Sequence, residues 1–207
     1  MRNEAFLAGL PLYGFDLIMA DPPTRFATRS AKGDEKSPQG QYRTMKIDEI
    51  AMLPIATLAA PDCVLFLWWT WPLFLANEHT PKCGFAYGDP IYSPVGYVLG
   101  AWGFRYYTGG AWLKRTRRGK VSFGTGYGPR NACDPFIIAT KGRPLNTHAE
   151  RNLIDGLARE HSRKPEEAYA WCERYLPGAR RLDLFSRYDR PGWISVGDEA
   201  GKFNGEG

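Results

Sequence analysis

The stretch that most constrains this chain is residues 15–26, FDLIMADPPTRF. Leu17, Ile18, Met19 and Ala20 form a short apolar run that stops at Asp21-Pro22-Pro23-Thr24. A run of this kind, cut off by a proline pair, predicts a buried strand ending in a rigid turn. Each proline fixes its own φ and lacks an N–H, so neither helix nor ladder continues through it. The carbonyls of Ala20, Asp21 and Pro22 are then left to point elsewhere. Open α/β sheets bind ligands at the carboxyl ends of their strands, which is where Asp21 falls. A stiff, acceptor-rich turn with one carboxylate suits an amine held by its hydrogens. Taken alone, the same four residues also fit a plain surface turn.

The rest of the chain narrows the class. A length of 207 residues suits one domain, residues 1–207, and 43% hydrophobic content with 14% aromatics allows a sizeable core. No stretch approaches the ~20 apolar residues of a membrane helix. The apolar part of the opening MRNEAFLAGLPLYGF is too short for a secretory signal, and the expectation is a cytoplasmic protein. Cys63, Cys83, Cys133 and Cys172 form no C-x-x-C pair and read as free thiols. His79 and Cys83 lie four apart without a second pair to complete a metal site, so no metal is expected. The net charge of +5 is compatible with a nucleic-acid partner without requiring one.

Taken in order, residues 27–45 are a polar stretch carrying Arg29, Lys32, Lys36 and Arg43, either a functional lid or a solvated loop. Residues 47–58 read as helix interrupted by Pro54, and 63–68, CVLFLW, as a central strand. Trp68 and Trp69 at its end suit core packing or the wall of a base pocket. A helix is expected to open at residues 72–76, and another over 95–104 to stop at Gly103; strands follow at 105–114 and 131–140. Between those strands, RTRRGKVSFGTGYGPR places Arg115, Arg117, Arg118 and Lys120 ahead of a glycine-rich stretch with Phe123 and Tyr127. Cations for phosphates and rings for bases suit single-stranded or flipped-out nucleic acid; an unliganded surface loop is the alternative. The spacing is not that of a nucleotide-triphosphate loop, which excludes that class. Residues 146–154 carry no readable motif. Pro165 with Glu166 and Glu167 behind it starts a helix that ends at Pro177-Gly178. Strands are expected at 181–185 and 193–196.

Three blocks of this sequence resemble one family. Asp21-Pro22-Pro23-Thr24 is similar to the D-P-P-aromatic signature of N6-adenine methyltransferases, with Thr24 in the aromatic's place. Tyr42 followed by Thr44-Met45, the L-W-x-T of the second strand, and W-G-F … W-L-K ending at Lys114 match further along. Asp134 stands where the family usually has Glu. Ser162–Glu167, then 181–187 with Asp183 for Glu, then Gly197-Asp198-Glu199 with Asp198 for Asn complete the pattern. The chain thus resembles the permuted, beta-class, MT-A-seventy-like group, in which the catalytic motif precedes the cofactor region.

The resemblance implies a Rossmann-like α/β fold: a mostly parallel twisted sheet, helices on both faces, and strand carboxyl ends meeting at one crevice. It implies S-adenosyl-L-methionine as cofactor, held by Asp21, Ser162, Lys164, Asp183, Phe185, Arg187, Asp198 and Glu199. Lys164 would meet the methionine carboxylate; Asp183, Arg187 and the 198–199 corner would face the ribose. It implies catalysis at Asp21, Pro22, Pro23 and Thr24, with Asp21 and the Pro22 carbonyl accepting both N6 hydrogens of adenine. Tyr42, Lys114, Arg115, Arg117, Arg118, Lys120 and Tyr127 would lie on the nucleic-acid side. The expected substrate is adenine in DNA. The alternatives are adenine in RNA, or a weak or inactive homologue that binds cofactor or nucleic acid or supports a partner subunit. Thr24 has no π face, so reduced activity is expected unless another ring, with Tyr42 the first candidate, takes over the stack.

Overall fold

A computed structural model describes residues 5–24, 44–75, 93–124, 129–146, 150–159, 163–202 and 204. Among the described residues, seven strands form one sheet: β1 (Phe15–Ala20), β2 (Ala59–Trp68), β3 (Arg105–Arg115), β4 (Cys133–Lys141), β5 (Leu153–Leu157), β6 (Arg181–Leu184) and β7 (Trp193–Val196). Their spatial order is β5-β3-β4-β2-β1-β6-β7. β1 pairs in parallel with both β2 and β6, β3 with β5, and β6 with β7. β4 runs antiparallel to both of its neighbours, β2 and β3.

The reversal of β4 corrects one expectation. Six strands place their carboxyl ends at one rim, but β4 contributes its amino end, so Asp134 rather than Thr140 stands there. The chain returns from β3 to its own neighbour without a crossover helix, and a direct return of that kind produces antiparallel pairing. β5 is an element that the sequence reading did not find. Its half-buried alternation lies at the edge of the sheet, where a short strand leaves a weak pattern.

Both faces of the sheet are covered. α1 (Ile47–Ala51), α2 (Ile55–Leu58) and α3 (Pro94–Ala101) pack on one face, where Ile18, Leu65, Leu67 and Ile137 meet Ile50, Ile55, Val98 and Trp102. α4 (Glu166–Tyr175) packs on the other, where Met19, Phe66, Trp68, Phe136 and Ile138 meet Ala168, Trp171 and Cys172. This explains why β1, β2 and β4 read as continuous apolar runs: strands covered on both sides have no polar face to alternate. Pro54 splits the 47–58 segment into α1 and α2, as its sequence predicts. Ser93 caps α3 by accepting from the Gly96 N–H, and Gly103, at φ +75°, turns the chain out of it. The segment expected to open a helix at 72–76 forms one 3-10 turn, Trp71–Leu73, before the described residues end at 75. Cys63, Cys133 and Cys172 are free, while His79 and Cys83 lie outside the described residues. No described helix is long and apolar enough to cross a membrane.

Candidate active site

Strand parity decides which side chains meet at the carboxyl rim. Leu17 and Met19 face α4, so Asp21, two residues on, projects towards the same side. Trp68 of β2, Trp112 of β3 and Phe136 of β4 face α4 as well, which carries Lys114 and Asp134 to that side of the rim. Asp183 alternates with Leu182 and Leu184, which both face the opposite core. Lys164 arrives from the segment just before α4. Its carbonyl accepts from Arg159 Nη2 at 3.2 Å, and the same nitrogen donates to Glu166 at 2.6 Å.

The result is a chain of alternating charges. Lys164 Nζ lies 3.1 Å from Asp21 Oδ1 and 5.1 Å above the Trp68 ring. Lys114 Nζ lies 2.7 Å from Asp134 Oδ1, which also accepts from Asn131 Nδ2 at 3.4 Å. Burial pushes the Asp134 carboxyl up, but Lys164 and Lys114 outweigh it and hold the group below its ordinary value.

A cleft partly open to solvent lies beside Asp21. It is lined by Met19, Trp68 and Asp183 of the sheet, by Lys164 and Tyr169, and by Phe185, Ser186, Arg187, Tyr188 and Arg190 after β6. Asp183 is buried and accepts from Tyr169 Oη at 3.0 Å and Ser186 Oγ at 2.8 Å. Burial pushes its carboxyl up to about 7, against the pull of those two donors and of Arg190. Arg190 lies 3.6 Å over the Tyr169 ring and pairs with Glu166. Phe185 adopts φ +64°, a left-handed conformation uncommon for a large side chain. That turn swings the chain sharply away from β6 and brings Phe185, Ser186 and Arg187 to the cavity wall. It fits because residue 197 is glycine: a Cβ there would stand 2.9 Å from the backbone of Phe185.

The proline turn differs in detail from its sequence reading. The Pro22 carbonyl is not left free: it accepts from the Thr24 N–H at 2.7 Å, and the Pro23 carbonyl accepts from Met45 N–H at 2.8 Å. Each carbonyl keeps a second lone pair. Thr24 is only 9% exposed and pairs with Met45 in an isolated parallel bridge, so it offers no open face to a base.

Other expected residues divide as follows. Asp21, Lys164, Asp183, Phe185 and Arg187 meet at the cavity, while Asp198 and Glu199 lie outside its wall. Glu199 instead takes Arg187 at 2.9 Å and Lys202 at 2.6 Å, so it acts on the cavity through Arg187. Arg115, expected on the nucleic-acid side, is engaged by Asp155 of β5 through two 2.8 Å hydrogen bonds. Arg117, Arg118 and Lys120 stand exposed on the turn closed by the Arg115–Val121 bridge. Trp68 and Trp69 are both buried, and Trp68 also lines the cavity. Tyr42, Tyr127 and Ser162 lie outside the described residues. The sequence reading missed Tyr169, Tyr188 and Arg190. Arg-Tyr-Asp-Arg directly after a strand's carboxyl end was the available signal, but no periodicity marks such a turn.

A Rossmann-like sheet with one reversed strand and a charged cavity at the carboxyl rim is the architecture of S-adenosylmethionine-dependent methyltransferases. A profile of the MT-A70 family matches residues 15–83 and 93–199, and the chain belongs to that family. It is 29% identical over 190 residues to the N(6)-adenosine-methyltransferase MT-A70-like of Arabidopsis thaliana, covering 89% of this chain and 24% of that protein. It is 28% identical over 204 residues to the N6-methyladenosine RNA methyltransferase MTA1 of Cryphonectria parasitica, covering 98% and 56% respectively. The human N(6)-adenosine-methyltransferase catalytic subunit METTL3 is 27% identical over 191 residues, covering 89% and 28%. The chain therefore spans about a quarter of the Arabidopsis and human proteins and just over half of the fungal one.

Proposed function

We propose that this chain methylates N6 of adenine in RNA, with S-adenosylmethionine as methyl donor. The observation that carries the reading is the Asp21–Lys164 pair at the carboxyl end of β1, beside the cavity and inside the segments that match the family. RNA is favoured over the DNA expected from the sequence because the relatives' names specify adenosine and, for the fungal protein, RNA.

The residues present fit the cofactor. Two buried donors in the cavity lining, Trp68 Nε1 and Arg190 Nε, have no partner among the described residues, which suits a ligand rich in acceptors. Lys164 supplies a cation for a carboxylate, Asp21 and Asp183 supply acceptors for amine and hydroxyl groups, and Phe185 supplies an apolar ring. When bound, S-adenosylmethionine supplies an electrophilic methyl group.

The chain's own residues act on the amine. Adenine N6 is a poor nucleophile because its lone pair is delocalised into the ring. Asp21 accepts one of its hydrogens, and the second lone pair of the Pro22 carbonyl accepts the other. That draws the nitrogen towards tetrahedral geometry and localises the lone pair. Lys164 fixes the orientation of the Asp21 carboxylate, and the two prolines keep the turn from relaxing. Holding the amine in place supplies much of the remaining acceleration.

The test incubates the protein with labelled S-adenosylmethionine and matched RNA and DNA oligonucleotides, followed by nucleoside analysis. N6-methyladenosine in RNA, reduced more than tenfold by Asp21→Ala, is expected. Label confined to DNA would restore the DNA reading. No label in either would leave the second reading, a weak or inactive homologue, which the small and buried Thr24 favours.

A further inference from the structure

We propose that Trp71 is the platform on which the target base stacks, replacing the aromatic that Thr24 does not supply. The proposal rests on the adenine-methylation reading above and adds to it the residue that holds the base.

Trp71 is 50% exposed, although a tryptophan gains more from burial than most side chains. It is nonetheless held in place. Its Nε1 donates to the Cys133 carbonyl at 3.1 Å, and its ring stacks on Phe74 with centroids 5.4 Å apart and planes at 28°. Phe74 in turn packs against the core beneath α3. The indole is therefore fixed at the rim, with half of its surface left open.

Its location suits the acceptor. Most of the cavity lining comes from β1, β6, the residues after β6 and the α4 segment, with Trp68 alone from β2. With a methyl donor held in that cavity, in-line displacement at carbon would put the acceptor opposite the leaving group, and the proposal places the base on the β2–β4 side. Trp71 stands there. It follows β2, whose last residue Trp68 pairs with Phe136, and it is anchored to Cys133, next to Asp134 in sequence. Asn131 joins these groups, since its side chain accepts from the Cys133 N–H and donates to Asp134. Lys114, paired with Asp134, adds a cation at the same place.

The experiment measures binding of two short single-stranded RNAs, one with a central adenosine and one abasic at that position, by fluorescence anisotropy. Wild type, Trp71→Ala, Trp71→Phe and Trp71→Leu are compared, with methyl transfer by wild type run alongside. Trp71→Ala and Trp71→Leu should bind the adenosine RNA about 5- to 150-fold more weakly, the range for loss of one base stack. Both should bind the abasic RNA as wild type does. Trp71→Phe keeps a π face and should stay within about threefold of wild type. The leucine variant, of intermediate bulk, separates stacking from packing. If Trp71→Leu keeps the preference for adenosine over the abasic site while wild type methylates RNA, the Trp71 assignment is overturned alone. If Tyr42→Ala removes that preference instead, the platform is Tyr42. If wild type neither binds nor methylates RNA, the adenine-methylation reading fails, and the Trp71 assignment with it.

Discussion

Asp183 carries the clearest pH signature among the described residues. Its buried carboxyl titrates at about 7 in the folded chain, far above its value when unfolded. A raised carboxyl means that the folded state binds the extra proton, so this contribution to stability is complete below pH ~4 and is lost as pH rises towards ~7. The facing groups are Tyr169, Ser186, Arg190 and Asp21. Replacing the carboxylate in Asp183→Asn keeps an acceptor for both hydroxyls and removes the titration. The wild-type melting temperature should therefore fall relative to Asp183→Asn between pH 5 and 8, and parallel curves would show that Asp183 does not titrate there. Asp134, held low by its lysines, acts in the opposite direction and only at acid pH, so the difference between the two proteins isolates Asp183. Thr24 makes a second prediction at this scale. Because it is nearly buried, Thr24→Trp overpacks the turn, at a cost of about 1–3 kcal/mol, and does not restore a stack. Thermal unfolding should show a loss of stability without a gain in methylation rate; a tenfold gain would show that the turn opens to admit the ring. Gly197→Ala should cost a similar amount, since its Cβ meets the Phe185 backbone rather than a movable side chain.

Among the elements, the turn between β3 and β4 separates cations that are adjacent in sequence. Arg115 is committed to Asp155 across the β3–β5 pair, whereas Arg117, Arg118 and Lys120 face solvent. Each cation that neutralises a phosphate on a single strand contributes about −0.7 to the slope of log K against log salt. Replacing Arg117, Arg118 and Lys120 together by alanine should reduce that slope by about 2. Arg115→Ala should leave it nearly unchanged, with little loss of stability, as for other exposed pairs. RNA titrations over a range of salt check both, and equal changes in the two variants would show that Arg115 leaves Asp155 for phosphate. Helix α4 shows a similar division of labour. Its buried face, Ala168, Trp171, Cys172 and Tyr175, packs on the sheet, while Glu166 in its first turn gathers Arg159 and Arg190 and Tyr169 reaches Asp183.

For the whole molecule, the cavity draws on β1, β2, β6, the residues after β6, and α4 with the segment before it, so a ligand there bridges parts of the chain far apart in sequence. A ligand that binds only the folded state stabilises it by mass action. S-adenosylhomocysteine should therefore raise the melting temperature, by about 2.7 kcal/mol of stabilisation at a hundred times its Kd. Lys164→Ala should shrink that shift, and no shift at saturating ligand would remove the cavity as the cofactor site.

What the sequence determined by itself is local and periodic. Doubly covered strands show as apolar runs at 17–20, 63–68 and within 131–140, Pro54 divides a helical segment, and Pro165 with two acids begins α4. The order of matched blocks also determined the family. What only the tertiary structure decided depends on which strand lies beside which. The reversal of β4 follows from its pairing with β2 and β3, and pairing between distant segments has no signature within either one. That reversal brings Asp134 to Lys114 and gives Trp71 its anchor at Cys133. The partners of Arg115 and Glu199 were hidden for the same reason: a charge in a sequence shows that a partner is needed, and only the fold shows which carboxylate or cation lies within reach.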